Sequence, residues 1–173
     1  MKVKEIMTAE HSLECCSPET KLHIAAKTMK SANCGALPIV DKAKKVVGMV
    51  TDRDICLSLA EHQTPAKTKV EEIMTEKVHT VGPEEDITVA LRQMRVHQVG
   101  RVPVVDGKGK LKGVVSLHQL IQNTIKEGKM LGSISDSGEN ILKTMMSIGE
   151  RYNGTAKSKK ASYSETEELE EVL

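Results

Sequence analysis

The chain has 173 residues, of which 39% are apolar, enough for one compact domain or for two small halves that share a core. It contains no Phe or Trp and only two Tyr, so Val, Ile, Leu, Ala and nine Met must fill that core. Its 25 basic and 24 acidic residues give a net charge of +1, which excludes bulk electrostatic attraction to nucleic acid or to a membrane surface.

Internal repetition organises the sequence. KVKEIMT near the N-terminus recurs as KVEEIMT, and CGALPIVD recurs as VGRVPVVD, each about 65 residues later. Self-similarity at a nearly fixed offset is typical of duplicated structural units. We therefore predict two repeats, one at residues 1–63 and one at residues 64–127.

Within each repeat the hydrophobic periodicity changes in the same order. The first repeat predicts a strand at 13–16, an amphipathic helix carrying Leu22, Ile24, Ala25 and Met29, strands in ALPIVD and VVGMVT, and a helix from Asp52 to about His62. The second predicts a strand at 78–81, a helix carrying Ile87, Val89, Ala90, Leu91 and Met94, strands in RVPVVD and LKGVVS, and a helix from Leu117 to about Lys126. Neither repeat alone buries much core. We therefore predict an α+β fold of two β-α-β-β-α repeats, packed sheet to sheet with pseudo-twofold symmetry.

The repetition ends after residue 127. Residues 128–150 place apolar side chains such as Ile141 and Met145 at helical spacing, which predicts an amphipathic C-terminal helix that packs on the repeats, covers a cleft or meets a partner. Residues 151–173 turn polar, first basic and then acidic, a composition typical of a disordered tail.

The last strands of the two repeats are followed by different polar residues. The first repeat reads GMVTDRD where the second reads GVVSLHQ. One interpretation is a capping box, in which Thr51 with Asp54, or Ser116 with Gln119, satisfies the free amides at the start of a helix. Capping accounts for both copies equally well, so it does not explain why they differ.

Taken together, these motifs resemble a tandem pair of CBS domains, the module named after cystathionine β-synthase. The resemblance rests on the EIMT opening, the GxxP motif followed by an apolar pair and Asp, and the strand end of Gly, two apolar residues and Thr or Ser. It covers roughly residues 1–127. It implies a regulatory module that binds adenine nucleotides or related adenosyl ligands in clefts between its repeats, and that forms a disc-shaped homodimer.

The resemblance also assigns roles to residues. In the family, the aspartate of T-x-x-D binds ribose while the threonine lies near phosphate, which implies Asp54 and Thr51 here. A carboxylate can accept hydrogen bonds from two ribose hydroxyls, whereas the Gln119 amide offers one oxygen beside a donor NH2. The residue after the GxxP glycine of the other repeat can be a phosphate-binding arginine. It is Arg101 in the second repeat and Ala36 in the first, so one cleft is expected to be complete.

The residues expected to bind nucleotide in this first cleft are Thr51, Arg53, Asp54, Thr80, Arg101, Val102 and Pro103. Those of a weaker second cleft are Ser116, His118, Gln119, Cys15, Ala36 and Pro38. The expected ligand is AMP, ADP or ATP, with S-adenosylmethionine and NAD as further candidates. The alternative is a ligand-independent dimerisation and interaction module that presents its C-terminal segment, with Arg101 a solvated surface side chain.

Other chemistry is not indicated. The six histidines show no HxH or HExxH spacing, so no metal site is expected. No nucleophile with a paired base is apparent, so we expect no enzyme, no catalytic residue and no catalytic cofactor. The four cysteines form no CxxC pair, no apolar run approaches the roughly 20 residues of a membrane span, and no signal peptide is apparent. We expect a cytoplasmic protein that binds adenine nucleotide, a second copy of itself and an unidentified protein, but neither membrane nor nucleic acid.

Overall fold

The computed structural model of the chain describes residues 1–61, 63–126 and 136–154. Its helices are α1 (Leu22–Ser31), α2 (Asp52–Ala60), α3 (Ile87–His97), α4 (Leu117–Lys126) and α5 (Asp136–Gly154). Its strands are β1 (Thr8–Ala9), β2 (Ala36–Val40), β3 (Val46–Thr51), β4 (Arg101–Val105) and β5 (Leu111–Ser116). The predicted α+β class is confirmed. The predicted end of the second helix at His62, and the predicted tail beyond residue 154, lie outside the described residues.

The core of each repeat lies between the apolar face of one helix and one β-hairpin. In α1 the buried residues are Leu22, Ala25 and Met29, and the corresponding positions of α3 are buried as well. Spacing of three and four residues places them on one face of the helix. These faces pack with the antiparallel hairpins β2–β3 and β4–β5, giving one apolar cluster in each repeat.

The predicted first strands at 13–16 and 78–81 are wrong as regular strands. Each segment contributes a single parallel bridge, formed by Cys16 with Ile39 in the first repeat and by the equivalent pair in the second. The residue two positions later is a proline in both repeats. Because proline lacks the N–H that the next rung of the ladder needs, the pairing stops there.

The two EIMT segments are exchanged between the repeats, which the sequence patterns did not indicate. Val3 is fully buried in the cluster of the second repeat, and Val70 is fully buried in the cluster of the first. In the same way β1 pairs antiparallel with β5 of the second repeat, while Thr75 pairs with Met49 in β3. Each repeat therefore completes its core and its sheet with a segment from the other, under pseudo-twofold symmetry.

This exchange explains why a glycine lies inside β3 and inside β5. A methyl group on Gly48 would lie 2.5 Å from Met74 Sδ, and one on Gly113 would lie 2.9 Å from Met7 Sδ. At Gly113 the methyl group would also collide with the backbone carbonyl oxygen of Thr8. The glycines allow the exchanged segment to cross the strand in close contact.

We expect Gly113→Ala to destabilise the chain by about 2 kcal/mol, because an added methyl group in a packed site forces backbone to shift. Gly48→Ala should cost less, since the flexible Met74 side chain can move away. Denaturant unfolding of both variants measures the difference. Gly100→Ala is the control, because nothing lies within 4 Å of its added methyl group. Equal stability of the Gly113 and Gly100 variants would contradict the proposed packing role.

Helix α5 packs on the second repeat, principally against α3 and secondarily against α4. Ile141 joins the cluster of that repeat with 5% of its surface exposed. Thr144 Oγ1 donates a hydrogen bond to Leu91 O over 3.4 Å, and Ser147 Oγ donates one to Arg95 O over 2.9 Å. The first repeat has no equivalent helix within the described residues.

Candidate functional site

The start of α2 is held by a reciprocal cap. Asp54 N donates to Thr51 Oγ1 over 3.2 Å, and Asp54 Oδ2 accepts from Thr51 N at 2.8 Å and from Thr51 Oγ1 at 2.7 Å. The sequence interpretation of this stretch as a capping box therefore describes the local geometry. Both hydrogen bonds to the carboxylate use Oδ2. In the described part of the chain, Oδ1 of this half-buried Asp54 receives none, and it can accept hydrogen bonds from a ligand.

The start of α4 has the same cap but a different side-chain chemistry. Gln119 Oε1 accepts from Ser116 N at 2.9 Å and from Ser116 Oγ at 3.0 Å. Its Nε2 donates to Thr8 Oγ1 over 2.5 Å. One of the two N–H donors of this amide is therefore used within the chain, and the atom that corresponds to the Asp54 Oδ1 acceptor is a donor.

Arg101 extends from the second repeat towards α2 of the first. A methyl group on Gly35 would lie 2.8 Å from Asp52 Oδ2 and 3.6 Å from Arg101 Nη2. The Arg101 guanidinium and the first turn of α2 therefore lie close to the same backbone atom. Arg101 forms no ion pair within the described part of the chain. Its charge is available to an anion that binds beside Asp54.

The equivalent position in the other repeat is open. Nothing lies within 4 Å of a methyl group on Gly100, because the residues that correspond to Arg101 and Asp52 are the short Ala36 and the apolar Leu117. Ala36 is buried in β2, where it pairs with Thr51. The pseudosymmetry of the backbone therefore does not extend to charge, and only one of the two helix starts has a guanidinium beside it.

The structure places the remaining predicted residues in different environments. Thr80 is half-buried, next to the Val81 bridge, and Arg53 is exposed on α2. Val102 is fully buried in the cluster of the second repeat, and Pro103 is buried too, so neither presents an open side chain. Of the second-cleft residues, Cys15 and His118 are exposed, while Ser116 is half-buried and Pro38 is buried.

A stacked pair of histidines adjoins Thr80, and sequence reasoning missed it. The rings of His79 and His97 lie 3.2 Å apart between centroids with 4° between their planes. Burial, and next the neighbouring His97, lower the pKa of His79. No sequence pattern indicated the pair, because the two residues lie on different elements and share no regular spacing.

The arrangement at α2 suits a molecule with a diol and an anionic end. The positive end of the helix dipole and the nearby Arg101 guanidinium favour an anion, and a carboxylate oxygen accepts from vicinal hydroxyls. Within the described residues no group of three or more His, Cys, Asp or Glu could hold a metal ion. None of the described helices is both long enough and apolar enough to cross a membrane.

Comparisons with known proteins agree with this architecture. The family model for the CBS domain matches residues 3–61 and again residues 70–126. The uncharacterized protein YlbB of Bacillus subtilis (strain 168) is 38% identical over 143 residues, which cover 80% of this chain and 94% of that protein. The CBS domain-containing protein YhcV of the same organism is 34% identical over 136 residues, covering 77% and 94%.

One solved structure with similar sequence contains ligands. The CBS domain pair of protein MJ0100, in complex with 5′-methylthioadenosine and S-adenosyl-L-methionine, is 30% identical to this chain. The superposition covers 75% of this chain and 98% of that one, with a TM-score of 0.63. The likeness therefore extends over nearly all of that ligand-binding pair.

Proposed function

The chain belongs to the CBS domain family as a tandem pair, and on that premise we propose that it is a regulatory sensor that binds an adenosine ligand in one competent cleft, at the start of α2. Asp54 Oδ1 accepts hydrogen bonds from the ribose hydroxyls. Arg53 and Arg101, at the positive end of the α2 dipole, hold the anionic end of the ligand. The complex then signals to a protein partner, without catalysis.

The observation that carries this proposal is the position of Arg101. Its guanidinium crosses from the second repeat to the first turn of α2, which also bears Asp54. This position supports a site in which one mononucleotide contacts both the Asp54 carboxylate and a cation from the other repeat. A ligand held in this way bridges the repeats, so it can bias their relative arrangement by its differential affinity for the two states.

The charges at this cleft favour an adenosine ligand with a small or balanced charge. Arg53 and Arg101 are offset by Asp52 and Asp54, and Asp52 Oδ2 faces the same point as Arg101. A triphosphate would bring more negative charge towards Asp52, which raises the Coulomb energy. AMP, or S-adenosylmethionine, which MJ0100 binds and whose single carboxylate is its only anionic group, is therefore preferred over ADP, ATP and NAD.

Isothermal titration calorimetry tests the proposal on the full chain with AMP, ATP and S-adenosylmethionine. We expect one site per chain, with AMP or S-adenosylmethionine binding at least about tenfold more tightly than ATP. Arg101→Ala should weaken AMP binding about 10- to 100-fold, since it removes a charge-assisted hydrogen bond of about 1.5–3 kcal/mol. Ala36→Ser, at the corresponding position of the other repeat, is the matched control and should change affinity less than twofold.

The alternative, a ligand-independent interaction module, is supported by the cap itself, because Asp54 has a structural role without any ligand. Calorimetric titration distinguishes the sensor from the ligand-independent interaction module. Absence of heat with every adenosyl ligand, in a chain that is folded by circular dichroism, would favour the interaction module. Binding at two sites per chain would contradict the asymmetry between the two helix starts.

A further inference from the structure

A cavity of about 270 Å³ lies between α3 and α5, on the second repeat. Thr88, Arg92 and Arg95 line it from α3, while Asn140 and Thr144 line it from α5. Beside it, the two helices are joined by the hydrogen bonds from α5 hydroxyl groups to α3 carbonyl oxygens. None of the residues expected in the two nucleotide clefts lines this cavity, so it is a separate feature of the molecule.

The cavity is lined by two cations and by no described acid. Within the described residues, the Arg92 and Arg95 guanidinium groups form no ion pair and no hydrogen bond. The neighbouring carboxylates are engaged elsewhere. Glu139 on α5 pairs with the lysine one turn later at 2.5 Å, and Asp86 Oδ1 accepts a hydrogen bond from Thr88 Oγ1 at 2.8 Å. The two positive charges are therefore available to an anion that enters the cavity.

The corresponding helix of the first repeat carries lysines instead of arginines. Lys27 and Lys30 of α1 occupy the positions of Arg92 and Arg95, and both are exposed. The first repeat has no counterpart of α5 within the described residues. Lysine would complement the C-terminal end of the α3 dipole as well as arginine does. Arginine differs in its planar fork of five N–H donors, which matches an oxyanion in geometry, and it is present where a second helix forms a cavity.

A phosphate group suits this lining better than a single carboxylate does. A phosphomonoester carries a charge of about −1.5 to −2 at pH 7 and three strong acceptor oxygens, which two guanidinium groups and an amide can share. The Asn140 side chain forms no hydrogen bond within the described residues, so its NH2 group can donate from α5. The volume is slightly below the roughly 300–1,000 Å³ of pockets for drug-sized ligands, which favours a small phosphate compound.

We propose that the α3–α5 cavity is a second binding site, which takes inorganic phosphate or a small phosphomonoester. The Arg92 and Arg95 side chains donate to the phosphate oxygens from α3, and the Asn140 amide donates from α5. Such a ligand bridges the two helices. Because it binds them only when they are packed together, it stabilises α5 on the second repeat. The site needs no adenosine ligand, so it does not depend on the function proposed above.

Nuclear magnetic resonance of the full chain tests this site with inorganic phosphate and with glycerol 3-phosphate, at pH 7 and constant ionic strength. We expect the side-chain N–H signals of Arg92, Arg95 and Asn140 to shift saturably, with a Kd of about 1 mM or tighter. The tighter of the two ligands shows whether the site takes free or esterified phosphate. Hydrogen exchange should slow in α5 when phosphate is bound, as expected for a ligand that bridges the helices.

Matched variants test the assigned contacts. Arg92→Gln and Arg95→Gln should each weaken phosphate binding at least about tenfold, since each removes a charge-assisted hydrogen bond. Asn140→Asp should weaken it as much, because it places a carboxylate of the same shape beside the ligand. Lys27→Gln, at the Arg92 position of the first repeat, is the control and should change the Kd less than twofold. Circular dichroism checks folding, which should persist because glutamine and arginine have similar helix propensities.

Three results would overturn the proposal. Shifts confined to Arg53 and Arg101 would place phosphate in the cleft at the start of α2 instead. An equal loss of affinity in the Lys27→Gln and Arg92→Gln variants would indicate general attraction between charges rather than a site. Wild-type affinity in the Asn140→Asp variant would show that α5 takes no part in binding.

Discussion

Asp54→Gln is expected to lower the affinity of the first cleft for AMP or S-adenosylmethionine about 30- to 1,000-fold, corresponding to about 2–4 kcal/mol of lost hydrogen bonding. The fold should survive, because Gln119 forms the same cap on Ser116 with distances of 2.9 and 3.0 Å. Loss of the negative charge at the helix start should cost only about 0.3–1 kcal/mol. Calorimetric titration, beside denaturant unfolding, measures both effects on one variant.

This substitution separates the two roles that the sequence leaves open for Asp54. An alanine would remove both the cap and the ribose acceptor, whereas glutamine keeps the capping oxygen and replaces the second oxygen with a donor. The reverse variant, Gln119→Asp, is the control. It should leave the first cleft unchanged and add weak binding at the second. If Asp54→Gln bound ligand as wild type does, Asp54 would be a cap alone and the sensor function would be untenable.

Removal of residues 1–9 is expected to destabilise the second repeat and to lower the apparent melting temperature by about 10 °C or more, given about 2–4 °C per kcal/mol for a chain of this size. The deletion removes the fully buried Val3 and the β1–β5 pairing. It also removes the hydrogen bonds from Val3 N to Glu85 O and from Lys4 N to Pro83 O, each 3.0 Å long. Differential scanning calorimetry measures the shift.

Two matched point variants show whether the exchange of segments is responsible. Val3→Ala and Val70→Ala should each cost about 2 kcal/mol, because each removes two methyl groups from a fully buried site. Hydrogen exchange should locate the two effects in opposite repeats, with Val3→Ala loosening β4 and β5 and Val70→Ala loosening β2 and β3. Loss of protection in the repeat that contains the substituted residue, the first for Val3→Ala and the second for Val70→Ala, would contradict the exchange.

The sequence was sufficient for much of the fold. Periodicity predicted α1 and α3, because their buried faces follow from spacing of three and four residues. It also predicted the hairpins and the starts of the following helices, since turns and caps depend on neighbouring residues. It failed at the segment 13–16, where one apolar run indicated a strand but tertiary pairing amounts to a single bridge.

The candidate site was less accessible to sequence reasoning. The repeat alignment showed that Asp54 and Arg101 have no equals at the corresponding positions. It could not show that Arg101 extends towards Gly35, nor that Gln119 donates a hydrogen bond to Thr8, a residue 111 positions away. Val102 was predicted to line the cleft, but its side chain is fully buried, because alternation along β4 directs it into the core.

By itself, the sequence determined the duplication, the helices and hairpins of the two repeats and the caps of α2 and α4, since these depend on residues close to each other in the chain. Tertiary structure alone decided which repeat each EIMT segment completes and on which repeat α5 packs. The physical reason is that two nearly identical repeats present nearly identical apolar faces, so local pattern cannot distinguish them. Long-range contacts at Val3, Val70 and Ile141 make that choice.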